Sequence, residues 1–298
     1  MIENNKYINK YNFAFIDEAT KKEIRRKLLK AVAIPGYQVP YSSPEMPISR
    51  GWGTGGLHVT LAIIGKADVF KIIDQGSDAS VNACNLRDFV HTMTNVKTTF
   101  DTAEATLIQT RHRITEEELL PHQIYIYQVP QPEPLRSVER YENKTRQMHA
   151  EGDYAKMFVS LYESIVLHGA VMHGADYPVM VNDRYIMAPS PIPKWDVPNL
   201  NYSKALHLFG AGREKRLYAI PPFTKVSPLE FIDVKFEIEN FLAKKCYKTN
   251  TNKAFLDELI YDDGSKNYIV NDSNYLDKLM EHKQPIQHTN PYINKIES

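Results

Sequence analysis

The chain has 298 residues, with Lys+Arg and Asp+Glu both at 36, so it carries no net charge and no global basic field for nucleic acid. Its 43% hydrophobic content is enough for a packed core, which excludes wholesale disorder. No apolar run approaches the ~20 residues of a membrane span, and the polar stretch Met1–Lys10 has no apolar signal core, so a soluble cytoplasmic protein without membrane or nucleic-acid partners is expected.

Asp17–Val32 reads as an amphipathic helix, with Ile24, Leu28 and Val32 recurring every four residues and Pro35-Gly36 stopping it. Gly51-Trp52-Gly53-Thr54-Gly55-Gly56 has the glycine spacing of a dinucleotide loop. That motif requires a helix to follow. Here Leu57, Val59, Leu61 and Ile63 alternate with His58, Thr60 and Ala62, which predicts a strand bearing a partly exposed His58 and makes the glycines a tight turn. Helices are predicted near Ala67–Asp74 and Ser80–Met93, then strands at Thr106–Ile114 and Gln123–Val129. The Pro-rich run Val129–Pro134 is a stiff connector.

Val138–His168 is charged and helical, broken at Gly152, with Met157, Leu161, Tyr162 and Ile165 forming an apolar stripe. It reads either as an insertion that meets a partner through an exposed stripe or as an ordinary surface pair. Hairpins are predicted at Tyr177–Met187, turning at Asn182-Asp183, and at Phe255–Tyr261 with Asn267–Val270; a rigid loop, Pro189–Pro193, follows the first, and the tail after Lys283 is polar. The fold class is mixed α/β (α+β): a mixed sheet with flanking helices, a helical insertion and a C-terminal zinc-ribbon-like hairpin. The domains expected are a core of 11–133 with 169–240, an insertion of 134–168, and a hairpin domain of 241–282.

The two cysteines exclude a disulfide scaffold. Cys84, in a helical segment, is expected to be a small buried apolar residue. Cys246 follows Lys244-Lys245 where burial is less evident, and on composition alone it is a bystander. Two segments could grip a phosphate. In Arg111-His112-Arg113, strand alternation puts the two arginines on one face and His112 on the other, and the same residues also read as a solvated strand end. In Gly210–Arg216, glycines let backbone N–H groups converge while Arg213, Lys215 and Arg216 add charge; a plain charged turn is the alternative. No nucleophile elbow, phosphate loop or His-Glu-x-x-His occurs.

Long stretches then identify a resemblance covering roughly Tyr11–Tyr275. They are Lys30–Pro40, Gly51–Gly56, Ala105–Arg113, Pro132–Arg136, Pro189–Lys194 and Phe209–Arg216. They resemble the PhnJ family, the catalytic-core subunit of the bacterial carbon–phosphorus lyase. The resemblance implies cleavage of the C–P bond of a ribose 1-methylphosphonate 5-phosphate by radical chemistry from S-adenosylmethionine and a [4Fe–4S] cluster, through a glycyl radical and then a cysteine thiyl radical. It puts the glycine at Gly36 and the phosphorylated sugar at Arg111, His112 and Arg213. It also implies partners: the other core subunits, and an ATP-binding cassette subunit docking on Pro134–His168 at Asp153 and Tyr162.

The family's cluster region is Cys-x-x-Cys, a hairpin, and two further cysteines. Here its positions are Cys246, Thr249, Asn271, and Leu276 or Asp277, so three of four thiols are missing. Thr and Asn are neutral oxygen donors and Leu is none. Two expectations follow: a lyase subunit, its ligands completed by a partner chain, or a degenerate subunit that binds substrate and assembles without the radical step.

Overall fold

Strands rich in Val, Ile, Tyr and Phe build a seven-stranded mixed sheet, in a computed structural model that describes residues 39–40, 54–111, 113–128, 134–164, 179–187, 197–211, 216–229, 231–232 and 243–282. The expected helix at Asp17–Val32, Gly36, His112, the Val129–Glu133 connector, Pro189–Pro193 and Arg213 lie outside the described residues. The strands are β1 (Val39–Pro40), β2 (Val69–Asp74), β3 (Lys97–Thr98), β4 (Leu107–Arg111), β5 (Ile124–Gln128), β8 (Leu206–Ala211) and β9 (Arg216–Ile220). Their order is β1-β9-β8-β5-β4-β2-β3. The β3, β2, β4, β5 and β8 neighbours pair in parallel, while β9 and β1 add antiparallel. The mixed sheet with flanking helices expected from the sequence is therefore present.

Alternation along the central strands feeds two cores. Phe70, Ile72, Leu107, Ile126 and Leu208 pack on one face with helices α1 (Thr54–Ile63) and α2 (Val81–Thr94). Ile73, Ile108, Tyr125, Tyr127 and Phe209 pack on the other with α3 (Glu142–Glu151) and α4 (Ala155–Tyr162). That second face also carries a small antiparallel sheet, in the order β10-β6-β7, made of β6 (Val179–Val181), β7 (Tyr185–Met187) and β10 (Val226–Pro228). A one-turn helix, α5 (Val197–Leu200), leads into β8.

Two predicted elements are corrected. Leu57–Ile63 belongs to helix α1, not a strand. Thr60 and Ala62, the residues that supplied the apparent alternation, are as buried as their neighbours. With Leu57 and residues 59–63 all buried, so short a run cannot be told from a strand by period alone. His58 therefore stands on a helix; its side chain lies outside the description. Ala67–Asp74 was expected to be helical, but Val69–Asp74 is the strand β2, hydrogen-bonded between β3 and β4. A strand buried on both faces reads as a near-continuous apolar run. The helix expected from Ser80 is present as α2, where the Ser80 hydroxyl caps the Ala83 N–H at 3.1 Å.

The helical pair breaks at Gly152 as expected, with φ +69°. Of the apolar stripe, Met157 and Leu161 are 2% and 6% exposed and share a core with the sheet, Tyr162 is half-buried, and Ile165 lies outside the described residues. The pair is pinned by Arg184, in the β6–β7 turn, whose Nη2 donates to the His149 carbonyl at 3.3 Å and also to the Ala150 carbonyl. That turn has Asn182 and Asp183 at φ 55° and 54°, as a type I′ hairpin requires. Gly152→Ala is expected to lower unfolding free energy by about 1–2 kcal/mol, because a Cβ disfavours the left-handed region. Urea unfolding checks this, and an unchanged midpoint contradicts it.

The chain divides into two units, Met1–Asn240 and Phe241–Ser298. In the second, β11 (Leu256–Ile260) and β12 (Lys266–Val270) form the predicted hairpin, followed by α6 (Ser273–Glu281). Among the described residues no helix is long and apolar enough to cross a membrane.

Candidate functional site

Parallel strands bring their carboxyl ends to one edge, where ligands of open α/β sheets bind. In the first unit that edge carries Asp74 of β2, Arg111 of β4, Gln128 of β5 and Gly210 of β8. Asp74 is in register with Arg111, and Gln128 with Gly210. Arg111 Nε donates to Asp74 Oδ1 at 2.9 Å and Nη2 to Oδ2 at 3.4 Å. The Asp74 side chain is 4% exposed and that of Arg111 23%, so the carboxylate is buried behind a guanidinium that still reaches solvent. Two of the five N–H donors are used on Asp74. The loop after Asp74 closes on the same strand end, with the Gln75 N–H donating to the Arg111 carbonyl at 3.1 Å.

Helix α1 meets this edge with its first turn. A Cβ on Gly56 would lie 3.2 Å from Gln128 Cβ and 3.4 Å from Gln109 Nε2, so glycine lets the turn press on the end of β5 without displacing either side chain. Thr60 Oγ donates to Gln109 Oε1 at 2.7 Å and holds α1 to β4. The N–H groups of a first helical turn lack intrahelical partners and favour an anion. The Gly-rich stretch does precede a helix, contrary to the expectation above, and the backbone donors of that helix lie on the same edge as Arg111.

Among the residues singled out in the sequence, Arg111 sits at this edge. Gly36, His112 and Arg213 lie outside the described residues; Arg213 falls between β8 and β9. Arg113 does not share a strand face with Arg111. The strand ends at Arg111, and Arg113 is buried in the following loop, ion-paired to Glu116. Asp153 is exposed after Gly152, its Oδ1 accepting the Ala155 N–H at 3.2 Å. Tyr162 is half-buried, edge-on to Phe231 at 5.7 Å. Asp74, Gln109, Gln128 and the first turn of α1 were missed. The signals were present: an acid closing an apolar run before Gln75-Gly76-Ser77, and a glycine cluster opening a helix.

Beside the amino end of β8, Ser203 lines a concavity with residues 114–119, Asn199, Asn201, Tyr202 and Lys204. Its hydroxyl lies 2.7 Å from His207 Nε2, and His207 Nδ1 lies 3.2 Å from the Tyr127 hydroxyl. Burial holds the His207 pKa down to about 3, so this imidazole is a weak base and the triad stays neutral.

Both cysteines depart from expectation. Cys84 is half-exposed one step off the buried face of α2, and Arg87 Nη2 lies 3.3 Å from its sulfur. Cys246 is 1% exposed despite its polar flanks, because the turn that follows folds back over it. Burial opposes its ionisation, but the N–H groups of Thr249, Val270 and Lys248 favour the thiolate, and the thiol pKa is lowered. The turn thus suits one thiolate, whereas a [4Fe–4S] cluster is held by several. Among the described residues no group of three His, Cys, Asp or Glu side chains is placed to hold a metal ion. Thr249 is buried, Asn271 Nδ2 donates to Asp257 Oδ2 at 2.7 Å, and Leu276 is 7% exposed. These residues do not fit the cluster.

Comparison with known proteins matches residues 9–282 to the family model described as "Phosphonate metabolism protein PhnJ". The chain is 50% identical over 273 residues to "Alpha-D-ribose 1-methylphosphonate 5-phosphate C-P-lyase" of Rhizobium meliloti (strain 1021), covering 91% of this chain and 92% of that protein. It is also 50% identical over 274 residues to the protein named "Alpha-D-ribose 1-methylphosphonate 5-phosphate C-P lyase" of Escherichia coli (strain K12), covering 92% of this chain and 97% of that one.

Proposed function

The chain belongs to the family of the phosphonate metabolism protein PhnJ, and on that premise we propose that it serves C–P bond cleavage as the subunit that holds the phosphorylated ribose phosphonate. The observation that carries this reading is the convergence, at one sheet edge, of the first turn of α1 with an Arg111 already oriented by Asp74. A phosphate there would accept from backbone N–H groups and from the remaining N–H donors of Arg111. His112 and Arg213 are proposed to complete the grip. In this reading the chain works in the cytoplasm with the other subunits of the lyase core. An ATP-binding cassette subunit docks on 134–168, at Asp153 and Tyr162. In this reading Gly36 carries no radical.

A second reading, lyase activity with S-adenosylmethionine and thiolates completed by another chain, draws on the thiolate-favouring turn around Cys246. Methane formation by the assembled complex under anaerobic conditions, with this chain as its only PhnJ-type subunit, would support the second reading over the first.

Arg111→Gln tests the substrate assignment. Loss of a charge-assisted contact is expected to weaken binding by about 1.5–3 kcal/mol, roughly 10- to 150-fold in Kd. Calorimetry with ribose 1-methylphosphonate 5-phosphate on the assembled complex reads this, with a thermal melt to verify folding. Unchanged affinity in a folded variant removes Arg111 from the site.

A further inference from the structure

We infer that the C-terminal unit is a metal-independent fold, in which the four positions corresponding to the family's cluster ligands have become part of the unit's own core and hydrogen-bond network. This goes beyond the proposed substrate role and does not depend on what the sheet edge of the first unit binds.

A ligand set that had merely lapsed would leave a hollow with donors facing one another. Here each position has a different occupation. Cys246 is buried in a closed turn. Its N–H donates to the Thr251 carbonyl and its carbonyl accepts from the Asn250 N–H, both at 2.8 Å. Asn250 supplies the left-handed φ of 57° the turn needs. Cys246 also forms a parallel bridge with Tyr268 of β12, and Thr249 is packed into the same turn at 4% exposure, its Oγ1 without a hydrogen-bond partner among the described residues. Asn271 ties the end of β12 back to β11, through Nδ2 to Asp257 and through its N–H to the Phe255 carbonyl at 3.0 Å. Leu276 places an isobutyl group at 7% exposure, and Cys246, Ala254, Leu256 and Val270 are buried as well. An isobutyl group ligates nothing, and it fills space with apolar atoms.

A segment of this size has little core of its own, and small folds commonly need a metal or disulfides as staples. This unit shows what stands in their place. The Asp272 carboxylate caps α6 by accepting the Tyr275 N–H at 2.9 Å. Glu258 of β11 accepts from Lys266 Nζ at 2.7 Å and from the Tyr268 hydroxyl at 3.0 Å, and Lys244 Nζ lies 4.8 Å from the centre of the Tyr268 ring. Exposed pairs contribute little one by one. The buried side chains of Cys246 and Leu276 and the half-buried bonds of Asn271 are therefore the contacts that replace ligation, and Asn271 is the most testable of them.

The test uses the full chain, purified and reconstituted anaerobically with iron and sulfide. Iron and zinc per chain are expected to stay far below stoichiometric. Amide exchange of residues 256–270 is expected to be the same with and without EDTA. Near-stoichiometric iron or zinc, or faster exchange in the hairpin on chelation, overturns the inference. Asn271→Ala is the second arm. It is expected to speed exchange across β11 and β12 equally with and without EDTA, while strands of the first unit keep their protection. Unchanged exchange in that variant overturns the structural assignment of Asn271. Calorimetry with the sugar phosphonate reports separately on the first unit, so a failed substrate assignment and a metal-dependent hairpin give different results.

Discussion

Asp78→Ala is expected to destabilise the first unit by about 3–5 kcal/mol, the cost of leaving a buried charge without its partner. Lys71 of β2 is 1% exposed, and its Nζ lies 3.0 Å from Asp78 Oδ2 while also donating to the Phe100 carbonyl. With the carboxylate gone, the Phe100 carbonyl is the one acceptor left to the buried ammonium among the described residues. The double variant Lys71→Met, Asp78→Ala is expected to recover most of the loss, since an apolar pair of similar volume needs no desolvated charge. The consequence reaches the candidate site. Asp78 stands in the loop that begins at Asp74, and its carbonyl accepts from Arg87 Nη1 at 3.1 Å. The single variant should therefore also loosen the Asp74–Arg111 pair and weaken sugar-phosphonate binding, whereas the double variant should restore stability first. Urea unfolding of wild type, both single variants and the double variant gives the coupling energy. A double variant no more stable than Asp78→Ala would show that the buried charge is not the cause.

Acid is expected to destabilise the same unit through His207. This imidazole is fully buried against Tyr125 and Tyr127, and burial holds its pKa down to about 3. In the unfolded chain the value returns to about 6.5. Above that pH both states are neutral and nothing is lost. As pH falls from about 6.5 towards 3, the unfolded chain takes up a proton that the folded protein refuses, so stability declines through that window. Between pH 7.5 and pH 4.5 the loss from this group is expected to be about 2–3 kcal/mol. His207→Gln keeps an amide that can bond Ser203 and Tyr127 and removes the titration. The difference in unfolding free energy between the two pH values should shrink by that amount in the variant. Parallel acid curves for wild type and variant would refute the assignment.

Several features of the candidate site were legible before the fold was known, because they rest on local chemistry. Arg111 at the end of a β-branched run was one, and the presence of a single thiol, Cys246, in the C-terminal hairpin region was another. Asp74 was not legible as its partner. The pair is 37 residues apart in sequence and meets only because β2 and β4 are parallel neighbours in register. Arg113 resembled Arg111 in sequence, yet the strand ended between them and Arg113 turned inward to Glu116.

The sequence by itself determined the hairpins at Asn182-Asp183 and Asp262–Ser265, the start of α2 near Ser80 and the helix break at Gly152. Each depends on residues a few positions apart, where turn geometry and donor chemistry act directly. Tertiary structure decided what local pattern left ambiguous. It made Leu57–Ile63 a helix, because Thr60 and Ala62 are buried along with Leu57, Val59, Leu61 and Ile63 and leave no exposed stripe among them to mark the period. It made Val69–Asp74 a strand, because β3 and β4 offered backbone partners along both edges. It covered Met157 and Leu161 with the unit's own sheet, and it brought the first turn of α1 onto the strand ends beside Arg111. Those outcomes depend on contacts between distant segments, which the amphipathic pattern of any one segment does not encode.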